Sequence, residues 1–468
     1  MSDVLISAKD AQAPVALKVL AEGEVPAWLE AASDAAQAAA TLAGFTGKPG
    51  QLFKAPGADG KLAQALFVLA DRDAGRPGWA AQALRALPTL LPPGDYRLEA
   101  LPAGIDATAA AVAFAQGVYR FDRYKANRED KRARLIAPDG CDLDVARAQA
   151  HALALARDMI NTPANDLGPH EIETICAEVA EQFGAVLTVI TGEGLLQANY
   201  PAVHAVGRAA APHRQPRMIE LAWGDEADPT VAIIGKGVVF DTGGLDIKPG
   251  SAMGLMKKDM GGAAHALALA RMVMAAKLKV RLVLLIPAVE NSISGDAMRP
   301  GDVIASRKGL SIEVGNTDAE GRLILADALT RAAELDPVLV IDLATLTGAA
   351  RAALGPQLPP FYTGDDDLAV ELERAAEATG DGLWRMPLWA GYAGAVDSEI
   401  ADIKNDPDGW AQAGSITAAL FLQRFAPDCP WLHFDIYAWN PRGRPGHPVG
   451  AEAQTVRALF HLLQGRYA

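Results

Sequence analysis

The chain is poor in cysteine, with three in 468 residues (Cys141, Cys176, Cys429), far apart and without CxxC spacing. That excludes a disulfide framework and a cysteine-rich zinc site, and it suits a reducing cytosol. Long apolar runs are missing too, since no stretch of about 18 apolar residues is present to span a bilayer. The start, Met1-Ser2-Asp3-Val4-Leu5, lacks the basic residues and apolar core of a secretory signal. The expectation is a soluble, cytoplasmic protein with no membrane partner. Positive charge is also in deficit, at a formal net charge of −14, which argues against nucleic acid or anionic lipid as a partner. Neither GxxxxGK followed by Ser or Thr nor GxGxxG occurs, which argues against a nucleotide site.

What is present is a globular balance, with 50% apolar and 21% charged residues. A single core stops growing at roughly 250–300 residues, so two domains are expected. The first third is rich in alanine and broken at Gly47-Lys48-Pro49-Gly50 and Pro92-Pro93-Gly94. In it, Ala63–Ala70 reads as a strand or short helix and Thr108–Tyr119 as a helix. The charge-dense run Tyr124–Arg134 reads as a connector or solvated face. A helical pattern over Asp144–Ile160 stops at Asn161-Thr162-Pro163. The expected organisation is a small α/β domain at 1–140, a linker helix at 141–165 and a larger α/β domain at 166–468.

The larger domain alternates apolar strand-like runs with helices. Strands are expected at Val186–Thr191, Met218–Ala222, Val231–Ile234, Val280–Ile286 and Val338–Leu343. Helices are expected at Pro169–Phe183, Gly262–Ala276 and Leu323–Leu335. Runs so uniformly apolar predict a central mixed, largely parallel sheet flanked by helices. In such sheets chemistry sits beyond the C-terminal strand ends. Unusual residues do collect there: Lys236, Asp241 and Lys248 after one strand, Asp259 before an alanine-rich helix, and Asp318, Glu320 and Arg322 before another. If the last segment is extended, Asp318, Glu320 and Arg322 share a face.

Asp241, Asp259, Asp318 and Glu320 supply carboxylates from three loops, the first of them Gly235–Pro249, enough for two divalent metals that share ligands. A lysine joins such a shell only as the neutral amine, while a second, charged lysine suits a developing oxyanion. Taken singly, each residue has a plainer reading: Asp-x-Glu as a solvated turn, Asp259 as a complement to a helix dipole, the lysines as surface groups. Their joint placement at strand ends and helix entries favours the site. A two-metal phosphohydrolase is the rival chemistry, but such sites commonly use histidine. Of the eight histidines only His265 falls near the clusters, and it is expected to be structural.

The run Asn316-Thr317-Asp318-Ala319-Glu320-Gly321-Arg322-Leu323 resembles the signature octapeptide of the leucyl aminopeptidase family, and Lys236, Asp241, Lys248 and Asp259 fall at that family's spacings. Weaker likeness runs from about Asn161 to the C-terminus, through Asn161–Asn165, Ile341–Ala349 and Ala413–Ala419. The resemblance implies a metal-dependent aminopeptidase that takes short peptides with a free N-terminus. It implies two divalent metal ions per subunit, zinc or manganese, with magnesium or cobalt as substitutes. By it Lys236, Asp241, Asp259 and Glu320 hold the tighter ion, and Asp241, Asp318 and Glu320 the exchangeable one. Lys248 polarises the scissile carbonyl, and Arg322 holds a bicarbonate that acts as general base. Leu346 offers its backbone carbonyl, and Met256, Thr345 and Gly348 line the substrate site, although Met256 reads equally well as core. A homohexamer is implied as well.

Three departures from the family's pattern stand out. Tyr437-Ala438-Trp439 follows Asp435-Ile436 where the family has a small pair near the first side-chain pocket, and a Gly/Pro-rich insertion, Pro441–Pro448, comes after it. Val206–Ala210 lacks the usual Gly-Ser, and Asp408–Gln412 lacks the usual arginine. None touches an expected metal ligand, so substrate preference is affected before chemistry. The rivals from other classes are a DNA-binding role and a catalytically silent scaffold. The charge opposes the first, and the intact acidic and basic set opposes the second.

Overall fold

The computed structural model describes residues 4–57, 59–99, 101–126, 132–407 and 412–468. The central part of the charged run Tyr124–Arg134 and most of Asp408–Gln412 therefore lie outside the described residues. Contacts divide the chain into two units. The first runs to Ala154 and takes in Arg374–Asp381 and Asn440–Val449; the second comprises Leu155–Glu373, Gly382–Trp439 and Gly450–Ala468. No helix among the described residues is long and apolar enough to cross a membrane.

The first unit is built on a six-stranded sheet of β1 (Leu5–Ile6), β2 (Val15–Ala21), β3 (Leu52–Pro56), β4 (Leu62–Leu69), β5 (Gly94–Leu98) and β6 (Ala133–Ile136), in the order β1-β6-β5-β2-β4-β3. Only the β3–β4 pair is antiparallel. The helix Ala107–Val118 is capped by Asp106, whose carboxylate accepts from Ala109 N at 2.7 Å, and it is almost wholly buried, as its alanine-rich surface permits. Ala63–Ala70 thus resolves as strand β4. The insertion after Pro441 packs into this unit, where Arg85 Nε donates to Gly446 O at 2.8 Å and Asn440 Nδ2 donates to the carbonyls of His447 and Pro448.

The second unit carries a nine-stranded mixed sheet. Its strands are β7 (Val186–Thr191), β8 (Arg217–Trp223), β9 (Thr230–Gly235), β10 (Gly237–Asp241), β11 (Arg281–Asn291), β12 (Leu339–Ala344), β13 (Pro360–Tyr362), β14 (Trp384–Arg385) and β15 (Trp431–Asp435). The centre, β15-β12-β9-β11, is parallel; β8 runs antiparallel to β11 and to β7, and β13 runs antiparallel to β15 but parallel to β14. Central strands β9, β12 and β15 are buried along nearly their whole length, while edge strand β7 is partly exposed. The helices expected at Gly262–Ala276 and Leu323–Leu335 are observed at Gly261–Ala276 and Gly321–Ala333.

Two expectations change. Gly235–Pro249 is not simply a loop, because after a break at Lys236 the chain resumes as β10 and pairs in parallel with the far half of β11. And 318–322 is not extended: Glu320 immediately precedes the helix Gly321–Ala333, without a side-chain capping bond, and Asp318 lies in the preceding turn. The carboxylate at a helix N-terminus is favoured by the backbone dipole and by free N–H groups, which outweighs any extended preference.

The helix Gly321–Ala333 is pinned against the sheet by Leu323, Ile324, Leu325 and Leu329, all fully buried with Ile234, Leu285 and Val340. Burial of each such side chain contributes about 1.5–3 kcal/mol. On the same helix Asp327 accepts hydrogen bonds from Ala202 N (2.9 Å), Val203 N (3.2 Å) and Arg307 N (2.8 Å), tying the helix Pro201–Gly207 to it. Burial outweighs these donors and pushes the Asp327 carboxyl up to about 7. The folded chain therefore binds this proton more tightly than the unfolded chain, whose aspartates titrate near 3.9, and stability is lost as pH rises between the two. In metal-free protein, urea unfolding at pH 4 and pH 7.5 is expected to show wild type losing stability relative to Asp327→Asn over that interval. An unchanged difference would refute a raised Asp327 pKa.

Candidate metal centre

The break at Lys236 comes from a change of partners. Its N–H donates to Leu343 O at 3.0 Å, and its carbonyl accepts from Ala263 N at 2.9 Å, so the main chain bridges β12 and the start of the helix Gly261–Ala276. That close approach requires glycine. A Cβ on Gly262 would stand 2.1 Å from Leu343 O, and one on Gly321 would stand 2.7 Å from Lys236 Nζ. Both helix N-termini are thereby brought to the strand ends, with Asp259 and Glu320 at their mouths.

Asp241, Asp259 and Glu320 are buried, and a carboxylate oxygen of each lies within 4.8 Å of the others. Asp318 stands beside Asp241 and is partly open to solvent. Two ammonium groups bridge the four carboxylates. Lys236 Nζ lies 2.7 Å from Asp259 Oδ2 and 3.0 Å from Glu320 Oε1, and donates to Thr345 O at 3.1 Å. Lys248 Nζ lies 2.9 Å from Asp241 Oδ2 and also contacts Asp318 Oδ1. Desolvation acts to neutralise both lysines, but the surrounding carboxylates, Asp259 foremost for Lys236 and Asp241 for Lys248, hold them charged well above the ordinary lysine range.

Two lysines do not satisfy the cluster. Among the described residues, Asp259 Oδ2, Asp318 Oδ1 and Glu320 Oε1 are buried oxygens that meet only a lysine ammonium, and two ammonium charges stand against four carboxyl groups. Burial, and then the charge of Asp241, push Glu320 up to about 8 and Asp318 up to about 6. Crowded carboxylates that resist ionisation and keep free lone pairs fit divalent cations, which would supply the missing charge and accept those oxygens. The donor set, oxygen with one amine, suits zinc, manganese, magnesium or cobalt.

Arg322 is buried close to Glu320 and Asp435. Its Nη1 donates to Asn405 O at 2.5 Å, and its Nε has no partner, which leaves a donor for an anion. Thr345 Oγ1 donates to Asp259, whose carbonyl and Oδ1 both lie at 2.9 Å. Leu346 N donates to Asp435 Oδ1 at 3.0 Å. Gly348 opens the helix Gly348–Leu354 with nothing within 4 Å of its side-chain position, and Met256 is half-buried at the head of a short turn that ends at Lys258. His265 is fully buried, with Nδ1 2.6 Å from Gly261 O and Nε2 accepting from Gln454 N at 2.9 Å.

Sequence reasoning passed over the residues that hold these groups in place. Asn291, at the end of β11, donates through Nδ2 to Asp241 Oδ1 (2.8 Å) and Thr317 O (3.1 Å). Asn405 accepts from Gly315 N and donates to Asn316 O and Ala319 O, clamping the loop before Glu320. Asp435, at the end of β15, accepts from Leu346 N, Thr347 N, Thr347 Oγ1 and Ser415 Oγ. Asn291 and Asp435 are polar residues closing apolar strands, the same signal that marked Asp241; Asn405 carries no such signal. Lys258 is buried with its ammonium 5.0 Å from the Tyr437 ring centroid. Burial pushes it down to about 8, and Asp259 counteracts this only in part.

Removal of the Asn291 donor is expected to weaken metal binding by about 10–100-fold, as losses of groups that orient ligands do. Calorimetric titration of zinc or manganese into Asn291→Ala, with circular dichroism to check the fold, measures this; unchanged affinity would show that Asp241 is oriented without it.

Comparison with known proteins gives a consistent picture. Residues 154–460 match the cytosol aminopeptidase family, catalytic domain, and residues 15–138 match the M17 aminopeptidase, N-terminal domain. A probable cytosol aminopeptidase of Syntrophotalea carbinolica is 42% identical over 388 residues, covering 78% of this chain and 77% of that one. Another from a Chelativorans species is 40% identical over 396 residues, covering 80% and 79%. Among solved structures, the cytosol aminopeptidase of Coxiella burnetii superposes with a TM-score of 0.93 at 43% identity over 100% of both chains. The bottromycin maturation enzyme BotP in complex with Mn gives 0.85 at 34% identity, over 97% of this chain and 100% of that one.

Proposed function

The chain belongs to the cytosol aminopeptidase family and is a metallo-aminopeptidase, and from that premise we propose that it releases single N-terminal residues from short peptides by two-metal hydrolysis. The observation that carries this reading is the cluster of mutually close, buried carboxylates on Asp241, Asp259 and Glu320, with Asp318 beside them, which two lysines neutralise only in part. Lys236, Asp241, Asp259 and Glu320 would hold the tighter ion, and Asp241, Asp318 and Glu320 the more exchangeable one. Zinc or manganese is proposed, with magnesium or cobalt as substitutes; the manganese complex of BotP supports the assignment. Such ions supply Lewis acidity, which makes water nucleophilic at neutral pH and polarises a carbonyl.

The protein's own groups act around that chemistry. Lys236 serves as a neutral amine ligand once divalent charge replaces the need for its proton. Lys248, nearer the opening than Lys236, donates to the scissile carbonyl oxygen as negative charge develops there. Arg322, with its free Nε, would hold a planar anion such as bicarbonate, whose role is that of a general base. The Leu346 carbonyl, fixed because Asp435 holds its own N–H, accepts a hydrogen bond from the reacting groups. Met256, Thr345 and Gly348 line the place of the first substrate residue. A free α-amine is required at this acidic cluster, which limits cleavage to the start of a chain. A cytoplasmic homohexamer is the proposed form.

Chelator-stripped protein, protein reloaded with zinc or manganese, and Glu320→Ala are to be compared on aminoacyl-p-nitroanilides and dipeptides. Activity is expected to return with metal, to vanish in Glu320→Ala and to be absent on N-acetylated peptides. A metal-bound protein inactive on every free-amine peptide would sink the proposal. Lys248→Met is expected to lower kcat by about 10²–10³-fold with a smaller effect on KM, the mark of a group that acts on the transition state.

A further inference from the structure

Lys258 is a buried cation without a counter-ion. Only 6% of it is exposed, and among the described residues no carboxylate forms an ion pair with it. A buried charge left unpaired is costly, and proteins normally pair it. The neighbouring acids are committed elsewhere. Asp259 is engaged with Lys236 and Thr345, and Asp435 accepts four hydrogen bonds from the Leu346–Thr347 backbone, Thr347 Oγ1 and Ser415 Oγ. Instead the Lys258 ammonium lies over the Tyr437 ring at 5.0 Å, and a second cation, Arg351, lies at 5.1 Å from the same ring and donates to the Tyr437 hydroxyl at 3.2 Å.

This arrangement adjoins the reaction centre. Lys258 precedes Asp259 directly and ends the short turn headed by Met256, and Arg351 stands one turn along the helix opened by Gly348. Tyr437 lines a small cavity with Thr347, Arg351 and Asp435. Two like charges brought to one aromatic ring repel each other, and the ring's attraction, about 0.5–2 kcal/mol for each cation, does not replace an anion. Resting on the aminopeptidase reading above, we propose that Lys258, Arg351 and the Tyr437 hydroxyl form a carboxylate-recognising wall that selects peptides beginning with aspartate or glutamate. The substrate's side-chain carboxylate supplies the missing counter-charge, Lys258 and Arg351 donate to it, and Tyr437 sets the distance between them. The same wall disfavours a first residue that is lysine or arginine.

The test uses the full-length, manganese-loaded protein. Glutamyl-, leucyl- and lysyl-p-nitroanilide are compared for wild type, Lys258→Met and Arg351→Met. In parallel, calorimetry compares the binding of free L-glutamate and L-leucine as products. Wild type is expected to favour glutamyl over leucyl substrate in kcat/KM. Each variant should lower that ratio about tenfold, mainly through KM, as loss of one charge-assisted hydrogen bond does. Tighter binding of glutamate than leucine should weaken in the variants in the same proportion. Arg351 is exposed, so its variant keeps the test decisive if Lys258→Met does not fold. Preference for leucyl substrate in wild type, or a ratio untouched by Arg351→Met, overturns the proposal and leaves Lys258 as a support for Tyr437. A substrate's C-terminal carboxylate offers the same chemistry, so Leu-Gly and Leu-Gly amide are run as well. Preference for the free acid there, without preference for glutamyl-p-nitroanilide, overturns the assignment to the first residue. No turnover of any of these substrates would instead refute the underlying aminopeptidase reading.

Discussion

Mutual repulsion among the carboxylates of Asp241, Asp259, Asp318 and Glu320 is the constraint around which the second unit is organised. Like charges a few ångströms apart in a buried place cannot all ionise unless cations stand among them. Lys236 and Lys248 supply part of that charge from one strand and the loop that follows it. Helix N-termini at Gly261 and Gly321 supply more, as oriented dipoles. The remaining deficit appears in the raised carboxyls of Glu320 and Asp318. The proposed divalent binding and the fold's placement of its strand ends are thus two sides of one electrostatic requirement.

Such a site survives only because its frame is rigid. Fully buried strands β9 and β12 fix where Lys236 and Thr345 emerge, and the apolar face of Gly321–Ala333 fixes Glu320. Second contacts then aim the side chains: Asn291 on Asp241, Thr345 on Asp259, Asn405 on the loop before Glu320. The glycines at 262 and 321 belong to the same design, because a side chain at 262 would meet the Leu343 carbonyl and one at 321 would displace the Lys236 side chain.

Much of this was legible in the sequence. Apolar runs located β9 and β12 to within a residue or two, and the first half of β11, whereas β15 was not anticipated; the acidic and basic residues just beyond these runs marked the cluster. What escaped has a physical reason in each case. β10 was hidden because Gly237–Asp241 follows β9 after only one residue, and no turn signal separates two strands that share β11 as a partner. The stretch 318–322 reads as extended because alternation of Asp, Glu and Arg mimics a strand, whereas the helix begins directly after Glu320. Asn405 was invisible because its value lies in a loop 86 residues from Ala319, and nothing local announces such a contact. Edge exposure of β7 also could not be read, since Val186–Thr191 is as apolar as the strands inside.

Burial of charge alone does not identify a functional group in this protein. Asp327 and Asp342 are as deeply buried as Glu320. Yet the Asp327 oxygens accept three backbone N–H groups, and those of Asp342 accept Trp431 Nε1 at 2.7 Å and meet His433 Nδ1 at 2.6 Å. These contacts hold elements together, and a further ligand on either carboxyl would have to break them. The cluster oxygens on Asp259, Asp318 and Glu320 meet only lysine ammonium groups, two charges shared among four carboxyls. Lys258 differs from paired buried cations such as Arg217, which meets Glu173, in the same way. Unbalanced charge, rather than burial alone, sets the proposed metal ligands and Lys258 apart from such pairs: carboxyl groups outnumber ammonium groups in the cluster, and Lys258 has no carboxylate ion pair among the described residues.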